Sequence, residues 1–266
     1  MTHQSTFLDP VAAYDRLAPF FSQISAAKRN YLISIENLIA ARITHGSDSL
    51  LDVGAGNGAR SARIARLAGL TDLVLLEPSA EMVKGAELPA AEIWPIRMED
   101  LDATDFENNR SRGNRRFDVI ICLWNTLGHV RGFEIRARAL KQLGGMLAPR
   151  GKLFLDLNHR YNTRAYGVFM TALRFLKDRL FPEPTDGDVE VTWPVGDGEC
   201  TAYGHVFTDR EVRHLVSSAG LVIEERVVVD YESGDVRRFA HQGNLLCVLR
   251  RRNSKSEDIS LSSTVN

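Results

Sequence analysis

The sequence predicts an α/β fold in which a mostly parallel sheet carries helices on both faces. Apolar runs such as 50–53, 73–76 and 117–123 have the length and composition of buried strands, and a helical pattern at 59–68 separates two of them. Alternation of this kind is typical of parallel sheets, because parallel neighbours need a crossover connection. The last two apolar runs, at 221–230 and 243–250, are joined by residues 231–242.

The sheet is expected to contain seven strands, over residues 50–53, 73–76, 93–96, 117–123, 152–157, 221–230 and 243–250. Two helices, at 10–21 and 26–43, precede the first strand, and the second of them has apolar residues at helical spacing. A segment between the fifth strand and the last helix is longer than an ordinary crossover. It contains a predicted helix at 166–180 and two short strands.

Composition narrows the class of protein. The chain has 266 residues, of which 44% are hydrophobic and 25% charged, and these values are ordinary for a globular protein in water. A formal net charge of -1 indicates no general affinity for nucleic acid or anionic membranes. No apolar stretch reaches the length of a membrane span, and the N-terminus has no signal-peptide pattern. Cys122, Cys200 and Cys247 are scattered, so we expect free thiols, no metal site and a cytoplasmic location.

A glycine-rich turn after the first predicted strand is the most informative motif. Residues 51–58 read Leu-Asp-Val-Gly-Ala-Gly-Asn-Gly, and Glu77 follows the next apolar run. Glycines let a ligand approach the main chain where any Cβ would clash. A carboxylate at the next strand end can accept hydrogen bonds from ribose hydroxyls. The pattern therefore predicts a nucleoside-binding half of an α/β fold.

The spacing of the glycines in this turn is compatible with two classes of nucleoside ligand. Gly54, Gly56 and Ala59 loosely satisfy the Gly-x-Gly-x-x-Gly/Ala fingerprint of dinucleotide-binding proteins. However, Asp52 stands where that fingerprint is normally apolar, and Gly58 comes one position early. A ligand with an amino-acid group needs no diphosphate cradle, and Asp52 can orient the turn and a water toward its ammonium. We therefore favour S-adenosylmethionine (SAM) over a nicotinamide dinucleotide.

These residues resemble the Rossmann-like, class I SAM-dependent methyltransferases. The resemblance extends over residues 10–250 and is carried by the turn at 51–58, by Leu-Leu-Glu-Pro-Ser at 75–79, and by a strand, helix, Pro-Arg-Gly turn and strand that end at Leu157. It implies the seven-stranded sheet with its antiparallel hairpin, SAM as cofactor, and methyl transfer. The cofactor-binding residues implied are Tyr14, Asp52, Gly54, Ala55, Gly56, Asn57, Gly58, Glu77, Pro78, Met82, Met98, Glu99, Asp100, Leu123 and Trp124.

Tyr14 supports the resemblance, whereas Arg97 departs from it. Tyr14 begins a Tyr-Asp-x-x-Ala element that resembles one found in small-molecule methyltransferases, where its ring can lie against the sulfonium. The alternative is a core tyrosine. The family often has an aspartate two residues before Glu99, but Arg97 stands there. Adenine recognition is then expected from Met98, Glu99 and main-chain amides.

Two histidines are the candidate catalytic residues, because each follows a predicted strand. His129 comes after the fourth strand and His159 after the fifth, and the ends of parallel strands meet at one edge of a sheet. Histidine titrates near neutral pH, so either can deprotonate a nitrogen or oxygen nucleophile. A hydrogen-bonded structural role is the alternative for both. The candidate substrate-binding residues are Asn158, Arg160, Tyr161 and Tyr166.

The chain divides into five predicted segments around one core. They are an N-terminal helical cap (1–45), a SAM-binding core (46–158), a substrate-binding insertion (159–206), a C-terminal helix and hairpin that complete the core sheet (207–251), and a disordered serine-rich tail (252–266). We assign the insertion to substrate because long ordered segments at strand ends are usually functional.

The leading hypothesis is transfer of a methyl group to nitrogen or oxygen of a small molecule by in-line displacement, with no nucleic acid or membrane as partner. No Asn/Asp-Pro-Pro-Tyr tetrad follows the fourth strand, which argues against methylation of base amines. An RNA methyltransferase remains open because 108–116 is basic and 203–208 resembles some wobble-uridine enzymes. A non-catalytic SAM-binding subunit and, last, a nicotinamide dehydrogenase are further alternatives. The oligomeric state, a homodimer included, is open.

Overall fold

The computed structural model describes residues 8–86, 90–101 and 114–252. The strands in these ranges are β1 (Ser49–Val53), β2 (Asp72–Leu76), β3 (Glu92–Trp94), β4 (Phe117–Cys122), β5 (Leu147–Leu157), β6 (Asp188–Val195), β7 (Gly198–His205), β8 (Leu221–Val229), β9 (Val236–Arg237) and β10 (Asn244–Arg251). The α-helices are α1 (Pro10–Leu17), α2 (Phe21–Ala26), α3 (Arg29–Ala40), α4 (Ala59–Ala68), α5 (Ala80–Lys84), α6 (Phe133–Gly145), α7 (Thr163–Tyr166), α8 (Val168–Leu180) and α9 (Asp209–Ser218).

The main sheet has the strand order β3-β2-β1-β4-β5-β10-β8-β9. The pairs from β3 to β5 are parallel, and the pairs from β5 to β9 are antiparallel. The predicted mostly parallel sheet with an antiparallel C-terminal hairpin is therefore confirmed. The predicted count of seven strands is wrong by one over the described residues, because β9 adds an eighth. Two residues are too few to show a strand periodicity in the sequence.

Helices cover both faces of the sheet, as predicted. On one face α3 and α4 bury residues such as Tyr31, Ile35 and Ile64 against the sheet. On the other face α6 and α9 bury residues such as Leu140 and Leu215. All five residues of β1 are buried, which is the burial expected of a central parallel strand. The two apolar layers leave the C-terminal strand ends as the region where polar groups converge.

The N-terminal segment differs from the two helices that the sequence predicts. Asp9 caps α1 by accepting a hydrogen bond from the Val11 amide at 3.2 Å, and α1 ends at Leu17. Pro19 lies in a 3-10 turn between α1 and α2, since proline has no N–H to continue an α-helix. The chain thus bends over the strand ends before α3 begins.

The insertion packs on this N-terminal segment. Strands β6 and β7 form a separate antiparallel pair, and a β-bridge joins Leu8 to Ala202 of β7. Ala13 of α1 packs with Cys200 and Ala202 in a small apolar cluster. The division of the chain into a cap, a core and a substrate-binding insertion remains a prediction. The tail beyond residue 252 and most of the basic stretch 108–116 lie outside the described residues.

His205 fixes the inner end of β7 to the rest of the protein. Its Nδ1 lies 2.7 Å from Asp188 Oδ1 on β6, and its Nε2 lies 2.8 Å from Glu211 Oε1 on α9. The Arg136 guanidinium of α6 donates to the Tyr203 hydroxyl at 2.7 Å and lies 3.6 Å from Glu211. The insertion is therefore attached to two helices of the core by buried polar contacts.

A turn after β4 holds two residues in the left-handed region. Trp124 has φ 52° and Asn125 has φ 62°, which are costly values for residues other than glycine. Asp156 of β5 holds the turn, because its carboxylate accepts from the Trp124 amide at 2.9 Å and also from the Tyr31 hydroxyl. The Asn125 side chain accepts from the Asn158 amide at 3.0 Å and donates to the His205 carbonyl at 3.0 Å. These bonds compensate for the backbone strain.

None of the helices in the described part of the chain is long and apolar enough to cross a membrane.

We expect Asp156→Ala to lower the free energy of unfolding by about 2–4 kcal/mol, because it leaves a buried hydroxyl and a buried amide without an acceptor. Tyr31→Phe removes only the hydroxyl and should cost about 1 kcal/mol. Urea denaturation of both variants tests this. A loss for Asp156→Ala no larger than that for Tyr31→Phe would show that the carboxylate does not hold the turn.

Candidate functional site

A cavity of about 720 Å³, part of it open solvent, lies at the C-terminal ends of β1, β2 and β4 and beneath α1. The sequence-predicted residues that line it are Tyr14, Gly54, Gly56, Glu77, Pro78, Met82, Met98, Glu99, Trp124 and His129. Residues that line it and were not among the predicted site residues include Val11, Phe21, Arg60, Arg97, Thr126 and Val130. The cavity thus joins the cap, the glycine turn and the tip of β4.

The glycine turn forms the floor of this cavity, and its backbone allows no side chain there. Gly54 has φ 69°, and a Cβ on it would lie 2.4 Å from Thr126 Cγ2. Gly56 has φ 60°, and a Cβ would lie 3.0 Å from Met82 Cε and point toward Phe21. Both positions therefore require glycine for conformation and for space. A ligand in the cavity can reach the main chain at this turn.

The Glu77 carboxylate connects the turn to the end of β2. Its Oε2 accepts a hydrogen bond from the Gly56 amide at 2.8 Å, and its Oε1 accepts one from the Ser79 amide at 2.8 Å. Burial raises the pKa of Glu77, and the two amide hydrogen bonds act in the opposite direction. A carboxylate has about four acceptor positions. Each oxygen therefore keeps a position for a ligand hydroxyl.

Arg97 ties the cap to one end of the cavity. Its guanidinium forms an ion pair with Asp9, the residue that caps α1, and lies 3.8 Å from Glu99. Ser79 reinforces the attachment by donating to Asp15 Oδ1 at 2.6 Å. The arginine at the position where the family often has an aspartate thus serves to hold α1 over the cavity.

Tyr14 and His129 form a hydrogen-bonded pair in the cavity wall. The Tyr14 hydroxyl lies 3.0 Å from His129 Nε2, and His129 Nδ1 lies 2.8 Å from the Tyr203 carbonyl. A carbonyl can only accept, so His129 carries a proton on Nδ1. Burial lowers the pKa of His129 and raises the pKa of Tyr14, so both groups are neutral near pH 7. Neutral His129 therefore accepts the Tyr14 proton at Nε2.

Arg60 brings a positive charge to the same cavity. Its guanidinium carbon lies 5.4 Å from the centre of the Trp124 ring, and its Nη1 is buried without a hydrogen-bond partner. A buried, unsatisfied donor of this kind is costly unless a ligand satisfies it. Arg60 lies inside the predicted helix at 59–68, where its helical neighbours gave no reason to single it out. Its position just after the glycine turn was the available signal.

Asp52 lies beneath the turn and does not line the cavity. It is buried, its Oδ2 accepts from the Ser61 hydroxyl of α4, and its Oδ1 has no hydrogen-bond partner. Burial raises the pKa of Asp52 despite the Arg60 charge, which lowers it. The other predicted cofactor residues that do not line the cavity are Ala55, Asn57, Gly58, Asp100 and Leu123. Their assignment stays a prediction.

The second predicted histidine, His159, lies elsewhere. It faces a different groove together with Arg160 and Tyr161, and its Nε2 is 3.6 Å from Asp209. Arg160 and the Tyr161 hydroxyl both donate to Asp178 of α8. The four predicted substrate residues therefore do not converge on the cavity. The direction of the chain after β5 could not be known from the strand order alone.

The two remaining substrate candidates have internal contacts. Asn158 donates its amide to Asn125 and accepts from the Asn244 side chain at 2.8 Å. Tyr166 packs under the Arg174 guanidinium, 4.5 Å from the ring centre. Within the described residues no group of three histidine, cysteine, aspartate or glutamate side chains is placed to hold a metal ion.

Comparison with known proteins shows a family and a fold. A family model described as a methyltransferase domain matches residues 13–226. The glycine/sarcosine N-methyltransferase of Halorhodospira halochloris is 30% identical over 142 residues, which cover 44% of this chain and 45% of that protein. The chain thus spans less than half the length of this curated relative.

Solved structures show the same fold at low identity. A SAM-dependent methyltransferase from Clostridium acetobutylicum matches with a TM-score of 0.60 and 14% identity, over 90% of this chain and 99% of that one. A SAM-bound amino pentose methyltransferase from Micromonospora echinaspora matches with a TM-score of 0.55 and 17% identity, over 85% and 96%. The family match identifies the chain as a member of the methyltransferase domain family, and the likeness to these solved structures shows that it has their Rossmann-like fold.

Proposed function

We propose that the protein transfers a methyl group from SAM to nitrogen or oxygen of a small molecule, with an amine as the favoured acceptor. The observation that carries the proposal is the Tyr14–His129 pair, which places a neutral base in the wall of the cavity above the glycine turn. The aromatic side chains of Phe21 and Trp124 line the same cavity, and such rings favour cationic ligands. The H. halochloris relative is named as a glycine/sarcosine N-methyltransferase.

The residues of the cavity fit SAM. Glu77 has acceptor positions for the ribose hydroxyls, and Met82, Met98 and Glu99 offer apolar and polar contacts for adenine. The unsatisfied Arg60 guanidinium suits the carboxylate of the amino-acid group. The cradle at Gly54 and Gly56 would be filled by any Cβ. When bound, SAM supplies a methyl group that is already activated for displacement.

Tyr14 and His129 then handle the proton of the acceptor. The Tyr14 hydroxyl donates to His129 Nε2, so the lone pairs of its oxygen are left to accept an N–H or O–H of the acceptor. Before the acceptor attacks, its proton passes to the Tyr14 oxygen, and the Tyr14 proton passes to His129 Nε2. The Tyr203 carbonyl keeps accepting from Nδ1 and stabilises the imidazolium. The remaining contribution is orientation, which can supply roughly 7–11 kcal/mol.

The contacts of Arg115 bear on the RNA alternative. Its guanidinium forms ion pairs with Asp72 and Glu92 and stacks over Phe117. Arg115 is therefore engaged by carboxylates of the protein itself, which reduces what it can offer to a phosphate. A cytoplasmic location is part of our proposal, supported by the three buried free thiols.

The proposal is tested by incubating the purified chain with SAM and panels of small amines, alcohols and phenols, with bulk tRNA in parallel. We expect S-adenosylhomocysteine to form with an amine. Formation of S-adenosylhomocysteine with tRNA alone would favour the alternative of an RNA methyltransferase. Tight SAM binding without turnover on any panel member would favour a non-catalytic subunit.

We expect Glu77→Gln to weaken S-adenosylhomocysteine binding by about 1–3 kcal/mol, because the amide replaces a charged acceptor and turns an N–H toward a main-chain donor. Isothermal titration calorimetry measures the change. Glu81→Gln, on the exposed side of α5, is the matched control and should bind as the wild type does. Unchanged affinity in Glu77→Gln would remove the ribose assignment.

We expect Tyr14→Phe and His129→Gln each to lower kcat about 10²-fold, with the dissociation constant of SAM nearly unchanged. An amine that is protonated at neutral pH must lose its proton before it can attack, whereas the neutral amine needs no base. The defect should therefore shrink as pH rises toward the pKa of the acceptor. Trp193→Phe, which contacts both rings but carries no mobile proton, is the control. A defect that is the same at all pH values would indicate a structural role.

We expect Arg60→Met to weaken S-adenosylhomocysteine binding about tenfold or more, through loss of a charge-assisted hydrogen bond. Binding of 5′-methylthioadenosine, which lacks the amino-acid group, should stay unchanged. Arg66→Met on the exposed side of the same helix is the control. Equal losses for both ligands would place Arg60 away from the carboxylate.

A further inference from the structure

Helix α8 of the insertion exposes a continuous apolar stripe to solvent. Four side chains at i, i+4, i+7 and i+11 form it, and we call them the outer stripe: Phe169, Leu173, Leu176 and Leu180. Val168, Met170 and Phe181 flank it, and all seven residues are between 46% and 74% exposed. This spacing is the seam along which two helices pack in a coiled coil.

The opposite side of α8 contacts the core, and Phe175 on that side is still 53% exposed. Asp178 accepts hydrogen bonds from Arg160 and Tyr161, and the Phe175 ring lies 5.5 Å from the Tyr161 ring centre. Thr171 is buried and donates to the Gly167 carbonyl at 2.7 Å. The helix is therefore held against the core by its inner face. The outer stripe is a separate surface that these contacts leave exposed.

The exposed area is just enough for a specific dimer. The outer stripe and the adjacent Met170 expose on the order of 500 Å², judged from typical side-chain areas, so two copies would bury roughly 1,000 Å² in total, which is the lower bound for a specific interface. An uncovered surface of this size would favour association.

We propose that the outer stripe is a homodimer interface, in which α8 packs antiparallel against α8 of a second copy. A two-fold axis between Leu173 and Leu176 sets each of these residues against the other on the partner helix. The same axis sets Phe169 opposite Leu180 of the partner, so the stripe is complementary to itself. This pairing brings no like charges directly opposite each other.

The charges on α8 favour a second copy over a lipid surface. Lys177 forms ion pairs with Glu183 and Asp186, and the Arg174 guanidinium stacks over Tyr166. Lys177 and Arg174 are thus engaged by the protein itself, and Arg179 is exposed. Arg179 alone does not make the basic belt of helices that bind anionic membranes. The formal net charge of -1 gives no further attraction to such a surface.

Sedimentation velocity of the full chain tests the proposal. We expect a species of about twice 29.7 kDa, and a monomer for the double variant Leu173→Glu, Leu176→Glu with unchanged thermal unfolding of the fold. Leu67→Glu alters an exposed leucine on α4 and should remain dimeric. A wild type that is monomeric at micromolar concentration, or a double variant that is still dimeric, overturns the proposal.

Disulfide cross-linking tests the antiparallel arrangement without relying on variants that could fail to fold. Phe169→Cys mixed with Leu180→Cys should give a disulfide-linked dimer under diamide, whereas each variant alone and the wild type, whose cysteines are buried, should not. Cross-linking of the Phe169→Cys variant with itself would indicate a parallel pair of helices and contradict the antiparallel arrangement. Monomeric chain that cosediments with phosphatidylcholine–phosphatidylglycerol vesicles would instead identify the stripe as a lipid-binding surface.

Discussion

The buried carboxylate of Glu77 is the interaction on which the site depends most. It accepts one main-chain amide from the glycine turn and one from the start of α5, so a single side chain fixes two neighbouring strand ends relative to each other. The turn itself uses left-handed backbone at Gly54, Gly56 and Gly58, and such a backbone needs external hydrogen bonds to hold one conformation. The position of the charge is thus set by the same bonds that shape the cradle.

The cap is held over this cradle by polar contacts spread along α1. Asp9 pairs with Arg97, Asp15 accepts from Ser79, and Tyr14 donates to His129. These partners come from the ends of three different strands. The proposed proton acceptor is the Tyr14–His129 pair. It therefore forms only when α1 packs against the strand ends.

A second set of polar side chains supports the turn that follows β4, at the edge of the cavity. Asp156 and Asn125 satisfy the main-chain groups around two strained residues, and Trp124 presents its ring to the cavity from that turn. Backbone strain at ligand sites is common because the surrounding bonds can over-determine it. Here the strain turns an aromatic side chain toward the glycine turn and Arg60.

The sequence by itself determined the mostly parallel sheet, apart from its eighth strand, and the glycine turn. It also predicted that Glu77 and His129 lie near that turn, where the structure has them. Strand periodicity and glycine spacing are local signals, and the ends of parallel strands must meet at one edge. It did not identify Arg60 as a cavity residue, and it grouped His159, Arg160 and Tyr161 with His129. Only the tertiary structure decided those points, because the course of the chain after β5 and the direction of a helical side chain depend on packing between elements far apart in the sequence.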